Sequence, residues 1–473
     1  ITASAGTSNF RAGVNAGNSI ASGGNYNTVV GDEAGTAITT GDANVAIGFR
    51  TLDANTTGAN NTAVGLAALG ANTSAANNTA LGYSALTANT TGASNIAIGV
   101  EALDANTAGN RTIAIGQAAF GALNHTSSTN NYGVAIGHEA GRLVTTGLKN
   151  TFIGGQSGYD LTTGGQNVAV GYGTLYEATT SSNNTAVGYI ALLANTTGAS
   201  NTAVGSFAGG SITTGLENTL VGFETGVALT DADFNVAMGR LALSGDTLGS
   251  RSVAIGWGAL RVQNFTSATN TYNTAVGMNA GTAVTTGVQN TLIGGLAGDA
   301  ITTAGGNTAL GYQAMSALTT GGGNTAVGHQ SMANGVVTGL HNTGLGDGSL
   351  LVLTSGAYNT GLGKDALAAN TTASNNTGVG AFVLDANTTG ASNTAIGESA
   401  LGANTTGANN TAVGKSAMVA NTTGSYNAAV GMVALDANID GDANTALGYG
   451  ALSDNTTADN NTAVGYFALL RNT

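Results

Sequence analysis

The chain has 473 residues, of which only 7% are charged, whereas 76 are glycine and none is proline or cysteine. Its formal net charge of −13 comes from thinly spread acids, and it has no basic patch that would bind nucleic acid or an anionic membrane. The absence of cysteine excludes disulfides and thiolate chemistry. No apolar run approaches the roughly 18 residues that span a bilayer, so we expect no membrane span in this sequence.

A short phrase ending in glycine repeats along the chain, beginning with a weak copy, NFRAG, at Asn9 to Gly13. From Gly31 to Gly465, 26 glycines close stronger copies of the form NTAVG, and 22 of the 25 intervals between them have the 17-residue spacing of Gly31 and Gly48. A fixed period of this kind is typical of solenoids. We therefore interpret residues 1–473 as one continuous repeat array, call each copy a rung, and regard residues 1–26 as a degenerate first rung.

A larger repeat is superimposed on the short one. Residues 99–175 recur as residues 239–315, and each copy contains one 21-residue interval at the same place, between Gly116 and Gly137 and between Gly256 and Gly277. We interpret the two segments as a duplicated block.

The pattern within a rung predicts strands rather than helices. Numbered from the Asn of NTAVG, the rung NTAVGYIALLANTTGAS occupies positions 1 to 17, and its apolar residues do not recur at helical spacing. We expect two extended runs, at positions 1–5 and 7–11, separated by turns at the position-5 glycine and at Thr-Thr-Gly. One rung buries too little apolar surface to fold alone, so the rungs must stack. The sequence predicts an all-β fold, a parallel β-solenoid of about 26 rungs.

Positions 9 and 12 exchange size, which indicates that both share one interior volume. In seven rungs a glycine at position 9 accompanies an aliphatic residue at position 12, whereas twelve rungs combine Leu or Met at position 9 with Asn at position 12. The glycine-containing pairs are Gly35 with Ile38, Gly141 with Val144, Gly158 with Leu161, Gly209 with Ile212, Gly226 with Leu229, Gly281 with Val284 and Gly298 with Ile301.

The strand at positions 2–4 is apolar on both faces. We expect positions 2 and 4 to point inward and position 3, which is mostly Ala but is Phe152, Leu220 or Leu292 in three rungs, to point outward. Because a strand that is apolar on both faces is normally buried on both, we expect a second copy of the chain to cover position 3. The pattern predicts a homo-oligomer.

Several phrases resemble a known family. RSVAIG at Arg251, RTIAIG at Arg111 and NVAIG at Asn44 resemble the SVAIG repeats of trimeric autotransporter adhesin heads, and NTAVGYIALLANTTG is similar to repeats in tail-fibre-like surface proteins of bacteria and phages. The resemblance covers nearly the entire chain and concerns architecture rather than a ligand. It implies a left-handed β-roll, a homotrimer, an extracellular location at a cell surface or on a virion, and a role in attachment.

The sequence offers few groups for catalysis or cofactor binding. His125, His138, His329 and His341 share no metal-ligand spacing, and we interpret them as incidental surface histidines. The aspartates at position 10 (Asp53, Asp104, Asp385 and Asp436) are interpreted as scattered surface charge. Catalysis requires clustered, environment-tuned acids, bases or nucleophiles, so we expect no enzymatic activity and no cofactor.

Two rows of residues are candidate glycan-related sites. Position 6 is often aromatic, and its rings either form a platform on which sugars stack or pack beside the turn at the position-5 glycine. The Tyr and Trp members of this row are Tyr83, Tyr172, Tyr189, Trp257, Tyr312, Tyr449 and Tyr466.

The Asn at position 12 often begins an Asn-Thr-Thr or Asn-Thr-Ser triplet, which matches the acceptor pattern for N-glycosylation. The alternative is a ladder of hydrogen-bonded Asn side chains without a sugar. The candidate acceptors are Asn55, Asn72, Asn89, Asn195, Asn370, Asn387, Asn404, Asn421 and Asn455.

Together these features predict a structural extracellular fibre, the shaft or head of an adhesin-like protein that presents a surface for attachment. Two alternatives stay open: a glycan-binding module along the solenoid face, and a subunit of an end-to-end filament.

Overall fold

The computed structural model describes residues 6–471, which divide between Asn235 and Val236 into two compact units, called the first and the second unit. Residues 1–5 of the predicted first rung and residues 472–473 at the end of the predicted array lie outside the described residues. Across residues 6–471 the regular secondary structure consists of strands only, joined by turns and bends. Accordingly, the described residues form no helix that could cross a membrane.

In the first unit, each rung contributes one three-residue strand at positions 2–4. These strands are Phe10–Ala12, Thr28–Val30, Val45–Ile47, Thr62–Val64, Thr79–Leu81, Ile96–Ile98, Ile113–Ile115, Val134–Ile136, Thr151–Ile153, Val168–Val170, Thr185–Val187, Thr202–Val204 and Thr219–Val221. Successive strands pair in parallel with equivalent positions opposite each other, as in Ala186 with Ala203.

The second unit repeats this arrangement. Its strands are Val236–Met238, Val253–Ile255, Thr274–Val276, Thr291–Ile293, Thr308–Leu310, Thr325–Val327, Thr343–Leu345, Thr360–Leu362, Thr377–Val379, Thr394–Ile396, Thr411–Val413, Ala428–Val430, Thr445–Leu447 and Thr462–Val464. Again the pairing is parallel and in register, as in Ala412 with Ala429. The prediction of an all-β parallel β-solenoid with a 17-residue repeat is confirmed, and the weak first copy also forms a paired strand.

The long intervals add one small strand pair in each unit. In the first unit Gly109–Asn110 pairs in parallel with Thr129–Asn130, and in the second unit Gly249–Ser250 pairs with Thr269–Asn270. The extra residues of a 21-residue rung are therefore accommodated beside the main strands, whose register is unchanged.

The prediction of a second strand at positions 7–11 is wrong, because these residues form a turn. In a representative rung, Ile190 at position 7, Leu192 at position 9 and Ser200 at position 17 have φ angles of 47°, 50° and 60°, in the left-handed region that strands do not use. The turn still pairs between rungs: the Leu192 N–H donates to the Ala208 carbonyl at 3.0 Å. Left-handed residues at these three positions allow the backbone to close one rung within a single short repeat.

The glycine at position 5 is required by the distance to the next rung. A Cβ on Gly188, which has a φ of 135°, would lie 2.6 Å from the carbonyl of Gly205. No side chain fits in such a space, which explains why this glycine recurs with the period of the fold.

The predicted orientation of the strand is also wrong. Ala186 at position 3 is fully buried inside the rung, whereas Thr185 and Val187 at positions 2 and 4 face outward and are half-buried. Position 3 is therefore small because the interior is narrow, and no second copy of the chain is needed to cover it. The unpartnered apolar face of the strand is the opposite one.

The predicted exchange between positions 9 and 12 is confirmed, and position 3 shares the same volume. A Cβ added to Gly226 would lie 2.9 Å from side-chain atoms of both Leu220 and Leu229, and one added to Gly209 would lie 2.9 Å from Leu220 of the following rung. A large residue at position 3 thus requires glycine at position 9 in its own rung and in the rung before it. Phe152 has the same relation to Gly141 and Gly158, and Leu292 to Gly281 and Gly298.

Candidate functional site

The Asn side chains at position 12 form buried ladders. The Asn72 Nδ2 donates to the Asn55 Oδ1 at 2.9 Å, and the Asn89 Nδ2 donates to the Asn72 Oδ1 at 3.1 Å. In the second unit one ladder runs from Asn370 to Asn455 with one donor per rung. All nine candidate glycan acceptors are fully buried. The Nδ2 atom to which a glycan would be attached therefore faces the interior of the folded solenoid.

Asn195 differs from the other eight candidates. One rung before it, position 12 is Ala178, and one rung after it, position 12 is Ile212. Its side chain is fully buried, and neither its Oδ1 nor its Nδ2 has a hydrogen-bond partner. It lies alone between two apolar neighbours.

A second Asn ladder, at position 1, was not predicted from the sequence. The Asn184 Nδ2 donates to the Gly198 carbonyl of its own rung at 2.9 Å, and the Asn184 Oδ1 accepts the Asn201 N–H of the next rung, also at 2.9 Å. This side chain closes the rung and links it to its neighbour. The recurrence of Asn before nearly every strand was the signal that could have revealed it.

The aromatic residues at position 6 lie on the surface, where they pair but form no continuous platform among the described residues. Tyr172 stacks on Tyr189 with ring centroids 5.9 Å apart, and Tyr449 stacks on Tyr466 at 5.3 Å. Tyr83 stands between the aliphatic residues Leu66 and Val100 in the same row. The position-6 row alone therefore does not distinguish a sugar platform from surface packing.

A concavity with aromatic and aliphatic walls lies in the first unit beside Tyr176, and we call it the Tyr176 cleft. It has a volume of about 350 Å³. It is lined by Gln156, Tyr172, Gly173, Tyr176, Glu177, Ile190 and Leu193. Its residues come from positions 6, 7, 10 and 11 of adjacent rungs, so the cleft lies on the turn side of the solenoid. Of the residues predicted at position 6, only Tyr172 lines it.

Aromatic stacking and hydrogen bonds hold the cleft together. The Tyr159 and Tyr176 rings are parallel within 5° with centroids 5.1 Å apart. The Tyr172 hydroxyl donates to the Gln156 Oε1 at 3.0 Å, and the Gln156 Nε2 donates to the Glu139 Oε2 at 3.1 Å. Burial, and secondarily the nearby Asp160 carboxylate, raises the pKa of Tyr176.

Outside the cleft, charged side chains of the described residues form pairs such as Arg50 with Glu33 and Lys415 with Glu398. Burial raises the pKa of Asp53, Asp104 and Asp385 at position 10. No group of three His, Asp or Glu side chains that could hold a metal ion occurs within residues 6–471.

The interpretation of the histidines as surface residues is wrong for His125. Its side chain is buried, its Nε2 lies 3.1 Å from the Asn131 Nδ2, and burial lowers its pKa. The additional residues of its long rung carry this imidazole into the interior, a change that the regular rungs do not show.

These observations define the protein as an all-β parallel β-solenoid of 17-residue repeats. Neither a protein-family model nor a curated protein matches the chain.

Proposed function

We propose that the protein is a non-enzymatic structural component of an extracellular fibre, the shaft or head of an adhesin-like assembly at a cell surface or on a virion. The observation that supports the proposal is the outward apolar face of the strands. At position 4 this face presents Val, Ile or Leu in rung after rung, and these side chains remain substantially exposed, as in Leu81 (46%), Val204 (36%) and Ile396 (41%).

The extent of this face favours association with further copies of the chain. At a strand spacing of about 4.8 Å, the strands of either unit produce a strip roughly 60 Å long and about 10 Å wide. The strip covers on the order of 600 Å², and its apolar part, the position-4 row with the apolar residues at position 2, is within the range of the apolar patches found on soluble monomers. A second copy has the same rung spacing, so its strip can align with this one rung by rung. The homotrimer in the proposal comes from the resemblance to SVAIG repeats.

Light scattering of the whole chain tests this assembly. We expect trimers, and we expect Val187→Lys combined with Val413→Lys to convert them to monomers, because both side chains point away from the interior. Thr197→Lys, on an exposed corner outside the strand face, is the matched control and leaves the trimer intact. A monodisperse wild-type monomer would refute the oligomeric fibre.

Electron microscopy and localisation complete the test. Discrete particles of one length favour a shaft or head, whereas continuous fibres favour the end-to-end filament. Antibody labelling on the outside of intact producing cells or virions supports the proposed location, and labelling only after lysis contradicts it. The remaining candidate, glycan binding, is favoured by the Tyr176 cleft.

A further inference from the structure

We infer that the Tyr176 cleft binds one pyranose ring of an uncharged sugar. This inference deepens the glycan-binding candidate and does not depend on the oligomeric state. The cleft's volume of about 350 Å³ is at the lower end of the range for small-ligand pockets, which suits a single ring.

The floor of the cleft is open because position 7 of its rung is glycine. A Cβ on Gly173 would lie 3.1 Å from the Ile190 Cγ2, so a larger residue would fill the space above Ile190. Ile190 is itself half-buried and gives this end of the cleft an apolar surface. The cleft thus combines an apolar floor with aromatic residues at positions 6 and 10.

The aromatic residues offer flat surfaces of fixed orientation. Tyr176 is held parallel to Tyr159, and Tyr172 is held nearly parallel to Tyr189. One face of a pyranose ring consists of C–H groups that pack on such aromatic surfaces, while its hydroxyl groups point outward from the edge. An aromatic residue with a polar tip therefore suits both parts of a sugar.

The polar groups of the cleft are oriented by a chain of contacts. Arg142 contacts the Glu139 carboxylate at 2.8 Å, Glu139 accepts the Gln156 amide, and Gln156 accepts the Tyr172 hydroxyl. The chain fixes Gln156 and Tyr172 before a ligand arrives, which reduces the entropy lost on binding. Glu177 lies at the rim and supplies a carboxylate that accepts hydrogen bonds from sugar hydroxyls.

The duplicated block shows that the solenoid does not need these residues. At the equivalent place in the second copy, Tyr312 retains the aromatic ring of Tyr172, but most of the other groups are replaced. The replacements are Glu139 by Asn279, Arg142 by Thr282, Gln156 by Leu296, Tyr159 by Asp299, Gly173 by Gln313, Tyr176 by Ser316 and Glu177 by Ala317. The strands of both blocks have the same register, so the strand pairing does not depend on the cleft residues.

Charge selects among sugars. Glu139 is paired with Arg142, whereas Glu177 and Asp160 add further negative charge near the cleft. Uronic acids and sialic acid carry a carboxylate that these groups repel, so the ligand is an uncharged hexopyranoside.

Saturation-transfer-difference NMR on the whole chain tests the inference with a panel of methyl hexopyranosides, a methyl glucuronide and methyl sialoside. We expect transfer to at least one uncharged pyranoside, with a dissociation constant of about 1 mM for a ligand of this size in an open cleft. We expect no transfer to the two anionic sugars.

Two variants reproduce residues that the chain already has in the duplicated block and so preserve the fold. Tyr176→Ser and Gln156→Leu should each weaken binding at least tenfold, while the matched control Ser316→Ala, at the counterpart of Tyr176 in the second copy, leaves it unchanged. Absence of transfer from every uncharged pyranoside, or equal binding by wild type and both cleft variants, overturns the inference. Light scattering of the same samples reports separately on the fibre, because Tyr176 lies outside the strand face.

Discussion

Asn195 and Asn72 occupy the same position of the rung but differ in their neighbours, and this difference predicts effects of different size on replacement by Ala. Asn72 donates to Asn55 and accepts from Asn89, whereas Asn195 has no ladder partner. Leu175 at position 9 already accompanies Ala178 at position 12 in the rung before Asn195, so Ala is compatible with this interior.

The magnitudes follow from the hydrogen bonds that each substitution changes. Asn72→Ala leaves the Asn55 Oδ1 without its donor and deprives the Asn89 Nδ2 of one acceptor, and each buried unsatisfied group costs about 1–3 kcal/mol. Asn195→Ala leaves no ladder neighbour unsatisfied, because position 12 is Ala178 in the rung before it and Ile212 in the rung after it, so its effect is smaller than that of Asn72→Ala. We expect the two variants to differ by at least about 2 kcal/mol, roughly a 30-fold difference in the local opening equilibrium.

Native-state hydrogen exchange with mass spectrometry measures this difference locally, which suits a repeat protein that opens in segments. Peptides covering residues 61–89 should exchange faster in Asn72→Ala than in the wild type. Peptides covering residues 184–212 should be accelerated less in Asn195→Ala than those covering residues 61–89 are in Asn72→Ala. Equal acceleration in both variants would show that ladder hydrogen bonds do not stabilise the rungs, and the reasoning would fail.

The remaining predictions concern packing, pH and glycosylation. Gly226→Ala should destabilise the first unit by about 1–3 kcal/mol in urea unfolding because its Cβ meets Leu220, and Leu220→Ala in the same chain should relieve part of that loss. Burial raises the pKa of Asp104 above 3.8, so the free energy of unfolding should decline as the pH rises from about 4. Asp104→Asn should flatten this decline in urea unfolding, and a steeper decline in the variant than in the wild type would contradict the prediction. Burial lowers the pKa of His125, so protonation of this side chain should lower the free energy of unfolding as the pH drops through 6.5. His125→Asn should remove the corresponding decrease in the urea concentration at the unfolding midpoint. In a glycosylating host, glycopeptides at Asn404 should occur only in misfolded protein, and their presence in the folded fraction would show that its ladder opens.

The period, an extended run within positions 1–5 and the shared volume of positions 9 and 12 could be predicted from the sequence because each leaves a local and repeated trace. The pairing of Gly226 with Leu229 and of Leu192 with Asn195 already shows that one residue's volume limits the other's. The glycine at position 5 marks every rung because the next backbone lies within 2.6 Å of the place where a side chain would begin, as at Gly188.

The inward face of the strand was decided only by the tertiary structure. In a three-residue strand the side chains alternate between the two faces whether Thr185 and Val187 or Ala186 points inward. The left-handed turn that follows determines which of the two faces lies inside the rung. Likewise, the Tyr176 cleft and the contacts that orient it join residues from four rungs, and nothing in the 17-residue pattern relates Glu139 to Tyr172 before the rungs are stacked. The sequence by itself determined the repeat and its packing rule, since both act within one rung or between neighbours. The stacked structure determined which surfaces remain open, because exposure depends on the path of the whole rung.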